Sequence, residues 1–434
     1  MHDLLVNLEL GHVSPRLEDR RLRVVLVDEE LPYPANSGKR VRTLNLVTRL
    51  ARKHELTFIC HRNADADEAR RAAAFFGDHG IASIVVDRVV PPRSGVGFYA
   101  RLAANLFSPL PYSVVNHTSA PLRHALRSFA AQRPVDLWQC EWTPYREVLR
   151  GLPGPVIVHT QNVESSIWRR YFETETNALR RWYIKGQWLK FQRFEREALA
   201  GAQSTIAVSD LDAQVFRNDY GVRRIDVVEN GVDTAYFRPP ARPRHPKDLL
   251  FLGSLDWRPN LDGIVQLLDT VFPAVRAAEP EARLVIVGRT PPAWLHARAL
   301  QPGVELHADV ADVRPYLQSC GLLVVPLRIG GGSRIKILEA LASELPVIST
   351  RIGAEGLDLE PDNHLTVVET IRDLIPAILH GIRRPTELAS QASRGRRAVL
   401  AKYEWDFLAA RLEQVWLDCV SCPAPHHDPT GFVP

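Results

Sequence analysis

The chain has 434 residues, 45% of them apolar and 24% charged, ordinary globular values that exclude disordered, fibrous and coiled-coil classes. Its 54 Lys and Arg nearly balance 50 Asp and Glu, a net charge of +4, which excludes nucleic-acid binding through bulk charge but not a local basic patch. No apolar run approaches the roughly 20 residues of a membrane-spanning helix. The first twenty residues lack a basic start and a continuous apolar stretch, so no secretory signal is expected. Five scattered cysteines fit a reducing cytoplasm; Cys419 and Cys422 are C-x-x-C spaced but have no second pair, and no metal centre is expected.

Short β-branched runs alternate with longer stretches of helical period, the pattern of parallel sheets covered by helices. Strands are predicted at 22–27, 56–60, 82–86, 137–140, 156–159, 204–208 and 226–228. The Pro- and Arg-rich stretch Arg238 to Pro246 is predicted to continue no regular element and to be the linker. Strands resume at 249–252, 284–287, 304–306, 322–325, 347–349 and 365–367. The expected organisation is therefore a domain over 1–240, a second over 241–403, a final helix over 404–420 and a disordered tail over 421–434. Two doubly wound α/β sheets facing one another place strand ends, and so ligands, in a shared cleft.

Along the first half, the strand at 24–27 is followed by Asp-Glu-Glu-Leu-Pro and not by G-x-G-x-x-G, which argues against a nicotinamide-dependent oxidoreductase. Asn36-Ser-Gly38 precedes an amphipathic helix with Val41, Leu44, Val47 and Leu50 inward; it reads either as an amide-rich turn on the cleft or as a tight turn that needs glycine. His159 ends a buried strand, where a side chain could face the cleft or be satisfied by backbone. Glu164 suits the first turn of the next helix. Residues 164–198 are basic and aromatic, fit either for an anionic membrane surface or for a helical pair whose aromatics fill the core. Trp257, before Pro259 at a helix start, could stack on a base or close the loop.

The segment 321–356 carries the most chemistry. Gly321 to Leu327 is continuously apolar, as a buried parallel strand requires. Gly330, Gly331 and Gly332 let backbone N–H groups approach a ligand, and Ser333 suits an N-cap. Ile335, Leu338, Leu341 and Ala342 recur at helical spacing up to Pro346, so Arg334, Lys336 and Glu339 fall in the first turns of a helix. Its positive end with Arg334 and Lys336 suits a pyrophosphate, and Glu339 suits ribose hydroxyls.

Gly330-Gly-Gly-Ser-Arg-Ile-Lys-Ile-Leu-Glu-Ala-Leu-Ala, with Pro346-Val-Ile-Ser-Thr350 and Gly353-Ala-Glu-Gly-Leu357 after it, resembles the donor-site segment of the retaining glycosyltransferases of family four. Asn230-Gly-Val-Asp233, His159-Thr-Gln-Asn-Val-Glu164 and Leu31-Pro-Tyr-Pro-Ala-Asn-Ser-Gly38 resemble further landmarks of that family, in order. The resemblance covers roughly Arg23 to Val420. It implies the GT-B fold, with two Rossmann-like domains around a cleft and a final helix that crosses back to the first. The implied donor-site set is Gly38, Gly253, Ser254, Gly288, Gly330, Gly331, Gly332, Ser333 and Glu339. His159, Arg334 and Lys336 are the implied catalytic groups, and Asn36, Ser37, Asn162 and Glu164 the acceptor-side ones.

Two departures stand out. The first of the family's paired glutamates falls on Gly331. Its Arg and Lys after the first strand of the second domain fall on Ser254 and Asn260, so Arg334 and Lys336, helped by Arg258, are expected to supply that charge. The resemblance implies a retaining, metal-independent hexosyltransferase without cofactor, acting from the cytoplasm in surface-polysaccharide assembly on a glycan or lipid-linked acceptor. A nucleotide-sugar epimerase of the same architecture and a non-catalytic nucleotide-sugar-binding protein are the alternatives.

Overall fold

The computed structural model describes residues 20–88, 94–329 and 334–421. Gly330, Gly331, Gly332, Ser333 and the tail from 422 lie outside the described residues. The β-branched runs of the first half pair into one all-parallel sheet: β1 (Arg23–Asp28), β2 (Glu55–His61), β3 (Ala82–Val86), β4 (Leu137–Cys140), β5 (Val156–His159), β6 (Ser204–Ala207) and β7 (Ile225–Val227). Those of the second half form another: β8 (His245–Leu252), β9 (Arg283–Gly288), β10 (Val304–Ala308), β11 (Cys320–Val325), β12 (Val347–Thr350) and β13 (Thr366–Val368). Each predicted strand appears, shifted by a residue or a few at its ends.

The spatial orders are 3-2-1-4-5-6-7 and 10-9-8-11-12-13. Both reverse direction once, between β1 and β4 and between β8 and β11. At such a point the crossover helices leave to opposite faces and open a crevice above the strand C-termini. The architecture thus names two places for chemistry: residues after β1 and β4, and residues after β8 and β11. Helices on the first sheet are α1 (Gly38–Leu50), α2 (Ala66–Asp78), α3 (Val96–Asn105), α4 (Tyr112–His117), α5 (Ala120–Gln132), α6 (Glu164–Thr174), α7 (Ala178–Ala200) and α8 (Asp210–Tyr220). On the second sheet α9 (Arg258–Gln266) follows β8, and the helix Ile335–Ala342, here called the donor helix, follows β11.

Two expectations change, and one of the alternatives for the aromatic stretch takes form. The linker is shorter than predicted, because β8 begins at His245 with Pro246 second; a strand's first residues tolerate proline, whose missing N–H is not needed there. The basic aromatic stretch is a helical pair broken at 175–177, where Asn177 Oδ1 accepts from Arg180 N at 3.1 Å and starts α7. Trp168 stacks on Phe191 and Phe172 on Trp188 across that pair, so much of the aromatic content is packing. Ser421, placed in the tail by its polar neighbours, ends the last helix instead.

That last helix, Trp405–Ser421, packs on the first domain against α1, as the resemblance implied. Trp405 and Trp416 are fully buried, and Trp416 Nε1 donates to Gln139 Oε1 at 2.6 Å beneath the sheet. Arg49–Asp406 and Lys53–Glu413, both 2.6 Å, add exposed ion pairs worth little beside the aromatic burial. Gly231 passes under this helix so closely that a Cβ would lie 2.8 Å from Leu408 and the Trp405 ring. The glycine of Asn230-Gly-Val-Asp233 is therefore needed for close approach at the crossing.

Candidate active site

On the second domain, the backbone after β8 turns at Gly253, and the donor helix points its N-terminus at that turn. The helix forms because Ile337, Leu338 and Leu341 bury one face while Lys336 and Glu339 stay half-buried on the other. It starts at Ile335, so Arg334 holds the cap position expected of Ser333 and provides no side-chain cap. Lys336 Nζ donates to Asn260 Oδ1 at 3.1 Å and sits 5.2 Å from the centre of the Phe251 ring. A Cβ on Gly253 would lie 2.8 Å from that ammonium, which is why the turn carries no side chain. Asn260, one of the two positions where the sequence lacked a cation, thus holds Lys336 at the turn.

Burial pushes Lys336 down to about 7, with Arg334 acting in the same sense and Glu339 opposing. Burial likewise pushes Glu339 up to about 7 against the pull of Lys336. Among the described residues neither has an oppositely charged partner within 4 Å. Two neighbouring groups pushed by burial toward their neutral forms mark a candidate site. Gly288 approaches the Gly253 carbonyl too closely for any Cβ, and this locks the ends of β8 and β9 together.

Arg334 and Arg258 take up other positions than expected. Arg334 is 3% exposed; its Nη2 donates to the Ile352 carbonyl at 2.6 Å and lies 3.8 Å from Glu355. It lines a cavity between the domains with Ser166, Arg170, Asp212, Asn230 and Glu355. Arg170 of α6 reaches Glu355 across the gap at 2.8 Å, and Arg258 lies over the Tyr171 ring and 3.8 Å from Glu175. Arg170 and Arg258 thus bridge the two domains.

On the first domain the largest correction concerns His159. It is 1% exposed, and both ring nitrogens are occupied: Nδ1 pairs with Glu141 Oε2 at 3.0 Å and Nε2 accepts from Arg42 Nε at 2.9 Å. A nitrogen that accepts from guanidinium carries no proton, so His159 is the neutral Nδ1–H tautomer, consistent with burial and Arg42 lowering its pKa. Burial alone would raise Glu141, but His159, Gln139 and Arg42 outweigh it and hold it at about 2. Arg42 also donates to the carbonyls of Val228 and Glu229 and to Asn230 Oδ1. His159 is a link in this buried chain, with both ring nitrogens already engaged by Glu141 and Arg42.

Beside the expected Asn162 and Glu164, the β1/β4 crevice holds groups that motif matching missed. Asp28 ends β1 and pairs with Lys39 of α1, whose ammonium lies 5.4 Å from the Trp142 ring. Trp142 Nε1 donates to Glu164 Oε1 at 2.8 Å, and His117 sits 3.2 Å from Glu29. Burial raises Glu164, and it raises Asp28 to about 6 against Lys39. Asn162 lies beside Glu164 with a buried Oδ1 that has no partner among the described residues. Ser37 caps α1 by accepting from Arg40 N at 3.4 Å, Gly38 opens that helix, and exposed Asn36 accepts from Arg40 at 3.2 Å. The acidic run after β1 was a usable signal, since it follows the strand at the point of reversal.

Two Rossmann-like sheets that aim a lysine-bearing helix N-terminus and a polar strand-end crevice at one gap have the GT-B architecture of nucleotide-dependent transferases. A family model described as Glycosyltransferase Family 4 matches residues 37–236, and one described as Glycosyl transferases group 1 matches 246–383. Together they take in most of both domains, and the chain belongs to these glycosyltransferases.

Among similar proteins is an uncharacterized 44.6 kDa protein from the cps region of Klebsiella pneumoniae, 21% identical over 80% of this chain and 87% of its own. A GDP-mannose:cellobiosyl-diphosphopolyprenol alpha-mannosyltransferase of Xanthomonas campestris is 25% identical over 51% of this chain. An MMP alpha-(1->4)-mannosyltransferase of Mycolicibacterium hassiacum is 25% identical over 56%. The match spans about three fifths of each mannosyltransferase's length, 60% and 61%. Sucrose-phosphate synthase of Thermosynechococcus elongatus shares the fold at TM-score 0.70 and 16% identity, over 92% of this chain and all of that one. Anabaena HepE in complex with UDP and glucose does so at 0.65 and 12%, over 91% and 99%.

Proposed function

We propose that this glycosyltransferase moves a hexose from a nucleoside diphosphate donor to a glycan or lipid-linked acceptor, with retention and without a metal ion. The observation that carries the reading is Lys336 held over the Gly253 turn with Glu339 behind it on the donor helix. The helix N-terminus and Lys336 meet the negative charge that builds on the departing diphosphate, and that charge is where a preorganised site stabilises most. Glu339 accepts from the ribose hydroxyls. The diphosphate oxygen takes the acceptor proton on the face it leaves. The domain-spanning contacts of Arg170 and Arg258 close the cleft and exclude water that would otherwise hydrolyse the donor. The named substrates of the Xanthomonas relative and the UDP and glucose in the HepE complex support this class of donor and acceptor.

The test is an assay of the purified protein with UDP- and GDP-hexoses and a polyprenyl-diphosphate oligosaccharide, read by NMR of the new anomeric proton, with and without EDTA. An α-donor giving an α-product insensitive to EDTA is expected. A β-product or EDTA-abolished transfer overturns the mechanism, and an isomerised sugar in acceptor-free controls establishes the epimerase instead.

The same reading places the first domain against an anionic bilayer. From Ser94 to Pro134 and from Thr176 to Phe194 the chain contains no Asp or Glu. These segments pack together, with Gln187 on Asn105 at 2.9 Å and Tyr112 N on Gln187 at 2.8 Å. Phe107 is 92% exposed and Trp182 59%, beside Arg101, Arg180, Lys185 and Lys190. Aromatics for the interface and cations for the headgroups, without an acid among them, suit a lipid-linked acceptor at the membrane. The protein should float with phosphatidylglycerol vesicles and not with phosphatidylcholine vesicles, and Trp182→Ser with Phe107→Ser should abolish flotation. Equal behaviour with both vesicles sinks the idea. No helix among the described residues is long and apolar enough to cross a membrane.

A further inference from the structure

The end of β9 brings a second cation to the turn that holds Lys336. Arg289 follows Gly288 and is half-buried; its Nε donates to Ser254 Oγ at 3.1 Å. Its backbone is fixed to the same turn, since Leu255 N donates to the Arg289 carbonyl at 2.9 Å and Gly253 N to Val287 at 3.1 Å. The Ser254 carbonyl accepts from Asn260 Nδ2 at 2.8 Å, and Asn260 Oδ1 accepts from Lys336. Arg289, Ser254, Asn260 and Lys336 therefore form one hydrogen-bonded chain with a cation at each end and only neutral groups between.

Elsewhere in this domain Arg314 is matched by Asp312 at 2.7 Å and Arg328 by Asp262 at 2.5 Å, while half-buried Arg244 and Arg396 meet no acid among the described residues and donate to backbone carbonyls instead. Among the described residues neither Arg289 nor Lys336 has a carboxylate within 4 Å. Two like charges partly withdrawn from water without a counter-charge are unfavourable, and what offsets them is an anion large enough to meet both. Thr290, directly after Arg289, is held at φ +53 with its N–H on Asp309 Oδ1 at 2.9 Å. A β-branched residue seldom adopts that backbone, so the turn is over-determined by its surroundings and keeps Arg289 facing Ser254.

We propose that Arg289 is the second diphosphate-binding cation of the donor site, taking one phosphate while Lys336 takes the other. This rests on the donor-site reading above and reassigns the partner of Lys336 from Arg334 and Arg258 to Arg289. A guanidinium fits the task because its planar fork meets two phosphate oxygens at once.

Isothermal titration with UDP and GDP, and with UMP and GMP, separates the outcomes. For whichever base the unaltered protein prefers, Arg289→Gln should weaken diphosphate affinity about tenfold, the scale of one charged hydrogen-bonded contact. Monophosphate affinity should change less than about twofold, with the melting temperature kept, and Arg289→Lys should recover part of the loss. Unchanged diphosphate affinity, or equal loss for mono- and diphosphate, overturns the role of Arg289 alone. Failure of the unaltered protein to bind any of the four overturns the donor-site reading with it.

Discussion

Replacement of Lys336 by methionine is expected to lower kcat/KM for sugar transfer about 100- to 1000-fold, the range seen when one preorganised donor to a developing oxyanion is removed. The stem stays packed over Phe251 and Asn260 while the charge over the Gly253 turn disappears. The same lysine sets a pH signature. Because burial depresses Lys336 to about 7, the empty site loses that proton above pH 7 and must take it back when the anionic donor binds. Donor affinity should therefore fall by up to about tenfold per pH unit above 7, and titrations in buffers of different ionisation enthalpy should show proton uptake. Glu339, raised to about 7 by burial, loses its acceptor charge below that pH, so affinity falls on the acid side too. Lys336→Met should remove the alkaline limb and Glu339→Gln the acid one. Flat wild-type affinity between pH 7 and 9 contradicts this account.

Arg42→Met should act on stability rather than on donor binding. Its guanidinium, 0% exposed, joins His159 of β5 to the carbonyls of Val228 and Glu229 and to Asn230, the stretch that leads into the crossing to the second domain. Removing it takes a nearby positive charge from buried Glu141 and strips the carbonyls of their donor. Breaking a buried, hydrogen-bonded charge network in this way costs about 3–5 kcal/mol, a fall of roughly 10 °C or more in melting temperature for a domain of this size. Without the cation, the His159 pKa should rise, since Arg42 is one of the two causes that lower it most. Nucleoside diphosphate affinity of the folded fraction should be unchanged. A variant with full stability and lost transfer would instead return His159 and its partners to direct contact with the reaction.

The difference between His159 and Lys336 shows why some of the site was legible and some was not. Both stood in segments that resemble a known family, and both were marked as cleft residues. Lys336 lies where helical period puts it, on the partly exposed face of a short helix and against the Gly253 turn, because helix face is a local property. Whether His159 is free or satisfied depends on Arg42, 117 residues earlier, and on Glu141, and no spacing rule connects these three. Arg42 itself sat in a helix read as amphipathic from Val41, Leu44 and Val47, where an arginine next to the apolar stripe passes for a solvated one.

Sequence alone determined the alternation of buried strands and helices, the two-domain division near residue 240, the crossing final helix and the glycine-lysine-glutamate segment. These follow from period, chain-breaking residues and local resemblance, which act over a few residues at a time. Tertiary structure decided the strand orders, and with them the two crevices where Asp28, Lys39 and Trp142 meet and where Gly253 meets Lys336. It also decided which arginines bridge the domains and which, like Arg289, meet no acid among the described residues. A cation's role depends on whether an acid lies within a few ångströms, and that distance is set by elements far apart in the chain.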